Sequence, residues 1–214
     1  MGWEALRQFA KEPVCRADQP KRGEPMGKRI MIVLGSPRKK GNSAKLAELV
    51  AQGARAGGAR VETFYLNGMD IRPCQACMKC QKPSATTCAI RDDMQVLYPK
   101  LKEADAIVIA SPVYWFNLSA QTKTFIDRWF AVGVEERNIF RGKPLGLLLS
   151  YGDADPFSSG GVNALRSFQD MCRYLGAEVA GMLYGTATEP GEIAKNKGLM
   201  KEAHELGKQL AGQG

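Results

Sequence analysis

Histidine is nearly missing from this chain of 214 residues. The single one, His204, lies in a charged segment near the C-terminus, which argues against His-based catalytic triads and multi-histidine zinc sites. Long apolar runs are missing too: no stretch approaches the ~18 to 20 residues that a membrane span requires. Residues 1–27 hold no apolar core followed by a small-residue cleavage site, so they do not read as a signal peptide. A cytoplasmic address with no membrane partner is expected. The chain contains neither a Walker A loop nor a GxGxxG dinucleotide loop. Thirty Lys and Arg against 22 Asp and Glu leave a net charge of +8. No segment carries a basic stripe with interleaved aromatics, so no nucleic-acid partner is expected. Chemistry must come from a cofactor, from the six cysteines, or from both.

With 44% hydrophobic and 24% charged residues, the chain has enough apolar content to bury a real core. At roughly 150 residues per domain, its length suggests one domain with an appendage. Residues 1–27 are that appendage. Trp3, Leu6, Phe9 and Ala10 suit one face of a short helix, broken afterwards by Pro13, Pro20, Gly23, Pro25 and Gly27. They form either a loose leader or an arm packed on a neighbouring subunit. Residues 28–214 form the domain proper, with a Cys-rich loop at 73–91.

From Arg29 onward the pattern is regular. Arg29–Leu34, Arg60–Tyr65, Ala106–Ala110, Leu145–Ser150 and Val179–Leu183 read as buried strands. Helices are expected over 42–56, from an Asp92 or Asp93 cap to Leu101, and over 120–131, 162–175 and 193–210. Strands alternating with helices imply a parallel sheet covered on both faces, with ligands bound at the carboxyl ends of the strands. The loops after strands one, three and four are therefore the candidate site.

The first loop, Gly35 to Ser43 (GSPRKKGNS), follows a strand and opens a helix, so free backbone N–H groups and the helix dipole favour an anion there. Ser36, Asn42 and Ser43 add donors, and Arg38 adds a fork suited to a monophosphate. An ordinary solvated turn with Asn42 as helix cap is the alternative. The loop after strand three, Ser111 to Ser119 (SPVYWFNLS), carries three consecutive aromatics that cannot all face inward; a flat aromatic ligand would account for their exposure.

Together, GSPRKKGNS and SPVYWFNLSAQTKTFIDRW resemble the flavodoxin-like NADPH-dependent FMN reductase superfamily from about Arg29 to the C-terminus. The resemblance implies a doubly wound five-stranded parallel sheet of order 2-1-3-4-5. It implies that Ser36, Arg38, Gly41, Asn42 and Ser43 hold the phosphate of FMN. Pro112, Val113, Tyr114, Trp115 and Phe116 would border the ribityl chain and ring, and Tyr151, Gly152 and Asp153 would complete the ring site. It also implies NAD(P)H as co-substrate and a homodimer or homotetramer. Asp127, Arg128 and Trp129 are candidates for the subunit boundary, although a helix-surface salt bridge beside a core Trp would look the same.

Cys74, Cys77, Cys80 and Cys88 form C-x2-C-x2-C-x7-C, a spacing of the kind that iron–sulfur clusters use. Zinc and free or reversibly oxidised thiols remain open by spacing. PCQACMKC followed by CAIRDDM resembles the iron–sulfur flavoprotein branch, which implies a [4Fe–4S] cluster passing electrons to FMN, with ferredoxin as donor. Cys172 reads as a small buried hydrophobe. The expected function is an FMN-dependent oxidoreductase in which the flavin, and no side chain, carries the chemistry. A small-molecule electron acceptor is its other partner. A flavodoxin-type electron carrier and a thiol redox sensor are the alternatives.

Overall fold

The computed structural model describes residues 27–212. The N-terminal extension, with Cys15 and the helix expected around Trp3, lies outside the described residues except for Gly27. The apolar runs form the sheet. β1 (Arg29–Leu34), β2 (Arg60–Tyr65), β3 (Ala106–Tyr114), β5 (Pro144–Tyr151) and β6 (Glu178–Thr186) are parallel, in the order β2-β1-β3-β5-β6. Counting parallel strands alone, this is the expected 2-1-3-4-5. The addition is β4 (Asn117–Leu118), which folds back antiparallel on the end of β3.

Successive side chains of β1 and β3 enter opposite layers, as the pleat requires. Ile30, Ile32 and Val108 pack against α1 (Asn42–Ala56) and α5 (Lys197–Leu210). Met31, Val33, Ile107 and Ile109 pack against α2 (Met94–Glu103), α3 (Ala120–Asp127) and α4 (Gly161–Leu175). A central strand buried on both faces reads as an unbroken apolar run, which is why these strands were legible. Two glycines let α1 and α5 approach closely. A Cβ on Gly207 would lie 2.1 Å from the Val50 carbonyl, and one on Gly53 would lie 1.9 Å from the carbonyl of His204. The lone histidine thus belongs to a helix–helix contact remote from the strand ends.

Four boundaries differ from expectation by three residues or more, the first being β6, which runs to Thr186 rather than Leu183. β3 continues through Ser111–Tyr114, because Ser111 and Pro112 pair with Leu149 and Ser150 of β5, and Val113 and Tyr114 pair with Leu118 and Asn117. α3 stops at Asp127 and tightens into a 3-10 turn over Arg128–Ala131. The last helix begins at Lys197, where the Asn196 carboxamide oxygen accepts the Leu199 N–H at 3.0 Å. Among the described residues, no helix is long and apolar enough to cross a membrane.

Candidate functional site

β1 and β3 are neighbours whose connections leave toward opposite faces, which opens a crevice at their carboxyl ends. The chain after β1 turns tightly there. Gly35 N–H donates to the Ala110 carbonyl at 2.8 Å, and a Cβ on Gly35 would lie 1.8 Å from Thr122 Oγ1, so only glycine fits. The Ser36 hydroxyl accepts Arg38 N–H at 3.0 Å, and Gly41 N–H closes onto the Arg38 carbonyl at 3.0 Å. This turn delivers the amino end of α1 with no side-chain cap and no acidic residue in its first turn. Uncapped N–H groups at a helix start, with buried Ser36 and Ser43 and exposed Arg38 around them, suit an anion.

Asn42 is not the cap of α1; Gly41 stands in that position. The Asn42 carboxamide instead donates to the carbonyls of Ala187 (3.3 Å) and Glu189 (3.0 Å) and accepts Ile193 N–H at 3.3 Å. Its side chain ties α1 to the segment after β6. The residue also lines the crevice.

The aromatics sit on the β3–β4 hairpin. Trp115 and Phe116 occupy its two-residue turn at φ 46° and 63°, positions where Asn-Gly is the usual choice. Trp115 is 93% exposed and Phe116 53%. Phe116 is braced from below: Asn163 Nδ2 donates to its carbonyl at 3.2 Å, and a Cβ on Gly160 would lie 2.4 Å from the Phe116 Cβ. On the opposite wall Tyr151 is buried, and that burial pushes its hydroxyl pKa up against the effect of a hydrogen bond with Thr186.

Three buried hydroxyls lock the two loops together. Ser119 Oγ donates to the Gly35 carbonyl at 2.7 Å and lies 2.9 Å from Thr122 Oγ1, while Ser111 Oγ accepts Ser119 N–H at 3.0 Å. The end of β1, the hairpin and the start of α3 therefore share one hydrogen-bonded joint.

Two connected cavities result. One of about 250 Å³ is bounded by Ser36, Arg38, Gly41, Asn42 and Ser43 on one side and by Pro112, Val113, Tyr114, Tyr151 and Gly152 on the other. Val113, Tyr114, Tyr151 and Gly152 also border the second, about 580 Å³, which Trp115, Phe116 and Asp153 complete. All thirteen residues expected to hold the cofactor line one crevice. The sequence reading missed Ser150, Ser159, Ala187, Thr188 and Pro190, which line it as well. Residues 187–190 follow β6, whose place beside β5 was the available signal. Glu192 holds that segment: its carboxylate accepts the N–H of Thr188 (2.9 Å) and of Glu189 (3.0 Å). Those bonds pull its pKa down to about 2.

Cys74 and Cys77 are exposed, Cys80 and Cys88 are buried, and all four are free. A set of four thiols matches iron–sulfur chemistry, yet among the described residues no three His, Cys, Asp or Glu side chains converge on one centre. Between Cys74 and Cys80 the chain makes two left-handed turns at non-glycine residues, Ala76 (φ 48°) and Met78 (φ 55°). Cys172 is a buried hydrophobe of α4, its thiol pushed up to about 11 by burial.

Of the three candidates for the subunit boundary, Arg128 and Trp129 are interior and cannot form one, and Asp127 with Trp129 gives the weighed alternative of a surface salt bridge beside a core Trp. Asp127 pairs with Lys123 at 2.5 Å on the surface of α3. Arg128 and Trp129 are interior: the Trp129 ring stacks on Phe140 at 4.4 Å, and Arg128 pairs with Asp92 at 2.6 Å with neither side chain exposed. Burial alone would raise the Asp92 carboxyl pKa; Arg128 and the N–H groups of Arg72 and Met94 hold it below the ordinary range.

The profile of the NADPH-dependent FMN reductase family matches residues 28–188. An iron–sulfur flavoprotein of Archaeoglobus fulgidus is 33% identical over 180 residues, covering 84% of this chain and 77% of the relative. One of Methanosarcina thermophila is 31% identical over 153 residues, covering 72% and 77%. Among solved structures, the NAD(P)H:quinone oxidoreductase of Methanothermobacter marburgensis superposes with a TM-score of 0.66 at 20% identity, covering 86% of this chain and 96% of that one. An archaeal flavodoxin superposes at 0.54 with 16% identity, covering 86% and 97%. These structural likenesses speak for the fold. The matched span runs from the first strand into the segment after β6 that closes the crevice, and with it the chain belongs to the NADPH-dependent FMN reductase family.

Proposed function

We propose that this protein is an FMN-dependent oxidoreductase that takes reducing equivalents from NAD(P)H, with residues 28–214 as its flavin-binding domain. The observation that carries the reading is the continuous crevice, with an uncapped helix start at one end and an exposed aromatic hairpin at the other. Ser36, Arg38 and the first N–H groups of α1 would hold the phosphate. Pro112, Val113 and Tyr114 would flank the ribityl chain, while Trp115, Phe116, Tyr151, Gly152 and Asp153 would bound the ring. FMN, when bound, would supply the redox chemistry. The protein's own part is to grip, orient and shield, and no side chain has to serve as general acid or base.

The same proposal assigns Cys74, Cys77, Cys80 and Cys88 to a [4Fe–4S] cluster, which would supply one-electron transfer. Two relatives that span most of this chain are iron–sulfur flavoproteins, and the thiol spacing supports the assignment. Ferredoxin or a small-molecule acceptor is the implied partner, and assembly into a homodimer or homotetramer in the cytoplasm goes with the reading. Anaerobic purification with flavin, iron and sulfide assays tests it. One FMN with four irons per chain is expected. FMN without iron or sulfide removes the cluster, and absence of flavin after incubation with FMN removes the proposal.

A further inference from the structure

The cysteine loop is held by the stretch that follows α3. Arg128 Nη1 donates to the Arg72 carbonyl at 2.6 Å and to Asp92 Oδ2 at 2.6 Å, and its Nη2 donates to Asp92 Oδ1 at 3.1 Å. Asp92 Oδ2 also accepts Arg72 N–H at 2.9 Å. Arg72 and Asp92 flank the segment that bears all four cysteines of the loop, so one guanidinium closes its neck. Two further arms come from the same stretch. Gln81 Nε2 donates to the Phe130 carbonyl at 2.8 Å, and Arg137 donates to the carbonyl of Cys80 and, at 3.0 Å, to that of Lys82.

Inside the neck, Cys88 lies beside the Tyr98 hydroxyl, which donates to the Arg128 carbonyl at 3.0 Å. Arg128 Nε is buried without a partner. Upstream, α3 starts at the return strand of the aromatic hairpin. One short run of chain, from Asn117 to Arg137, therefore joins the hairpin to the cysteine loop.

Burying an ion pair is costly, and apolar residues of similar shape often replace one without loss of stability. What apolar residues could not reproduce is a planar fork that binds both ends of a loop at once. We infer that Arg128 is a positioning residue: with Asp92 it closes the neck of the cysteine loop and fixes that loop relative to the aromatic hairpin. The inference extends the reading of the loop as a second redox element, but the closure itself can be measured on the thiols with no metal present.

Asp92→Asn combined with Arg128→Gln removes both buried charges together, so no lone charge is left inside. Arg137→Gln removes one arm at a half-buried position and keeps the neck. Metal-free, full-length protein is alkylated with iodoacetamide, and each cysteine is followed by peptide mass spectrometry. In the double variant Cys80 and Cys88 are expected to react at least about ten-fold faster than in the parent, as local opening of the loop requires. Cys172 should stay slow and FMN binding should be kept. In Arg137→Gln, Cys80 alone should accelerate. Arg128→Lys keeps the charge without the fork and should behave like the double variant.

Parental rates at Cys80 and Cys88 in the double variant would overturn the inference. So would equal acceleration of Cys172, which would mark general loosening of the core, or full protection in Arg128→Lys. Anaerobic reconstitution with iron and sulfide separates this inference from the cluster assignment. A parent that takes up no iron refutes the cluster, while the thiol rates still decide the clamp.

Discussion

At the scale of single residues, the site combines one charge contact with two strained aromatics. Arg38 is the one of the three exposed cations of the first loop, with Lys39 and Lys40, that lines the crevice, and it makes no salt bridge with any described residue. Charge-assisted hydrogen bonds contribute about 1.5–3 kcal/mol, so Arg38→Ala should weaken FMN binding roughly ten- to hundred-fold. Titration of the flavin-free protein with FMN, followed by flavin fluorescence, checks this. Trp115 and Phe116 hold left-handed backbone that costs of order 1 kcal/mol or more at non-glycine residues. Replacing the pair by Asn-Gly should raise thermal stability by about 1 kcal/mol while lowering flavin retention. Parallel melting and flavin-content measurements would reveal the opposed changes. Such a trade is expected where a turn is shaped for a ligand.

Lys143 lies away from the site and gives the clearest pH signature. Burial lowers its pKa from 10.5 to about 8, with Arg29 adding to the effect and Asp105 opposing it, while its ammonium donates to the Leu101 carbonyl at 2.6 Å. Between those two values the unfolded chain holds the proton more firmly than the folded one. Folding stability should therefore rise as pH increases through that window. Lys143→Met should remove the rise, which urea titrations across the same pH range would read.

At the scale of elements, strands and helices were legible wherever a local pattern wrote them. The central strands announce themselves as apolar runs, and α1 was bounded correctly because polar residues open it and Gly57 closes it. The end of β3 was not legible. Ser111 and Pro112 look like a strand exit, but they pair with Leu149 and Ser150 of β5, and the antiparallel return of Asn117–Leu118 keeps Val113 and Tyr114 extended beyond them. The Arg128–Asp92 pair was hidden for a related reason: it links residues far apart, each of which has a plausible local role at a helix end.

The joint of Ser111, Ser119 and Thr122 is likewise invisible in sequence, where three small polar residues suggest a solvated loop. Ser119→Ala removes the donor to the Gly35 carbonyl and the acceptor for Thr122 N–H at 3.3 Å. Leaving buried groups unpaired costs about 1–3 kcal/mol. Stability should fall by that amount, and flavin should be released more readily although Ser119 does not line either cavity. Chemical denaturation together with FMN dissociation rates would test the coupling.

At the scale of the whole molecule, the topology decides where chemistry can occur. Parallel order places the ends of β1, β3, β5 and β6 side by side, so loops remote in sequence meet in one crevice. The loops after three of those strands carry polar or aromatic motifs and could be read directly. Ala187–Pro190 carries no such motif and enters the site through strand order alone. The near absence of histidine fits this plan, since a bound flavin leaves imidazole chemistry unneeded. The six cysteines also separate by position: Cys172 fills the core, four lie in a loop bracketed by Arg128 and Arg137, and Cys15 belongs to the extension.

The central claim is that this crevice holds FMN reducible by a nicotinamide. Anaerobic stopped-flow mixing of the FMN-loaded protein with NADPH, and separately with NADH, tests it most directly. Loss of the oxidised-flavin absorption is expected with at least one of the two, at a rate that saturates with nucleotide concentration. Flavin that stays oxidised with both would contradict it.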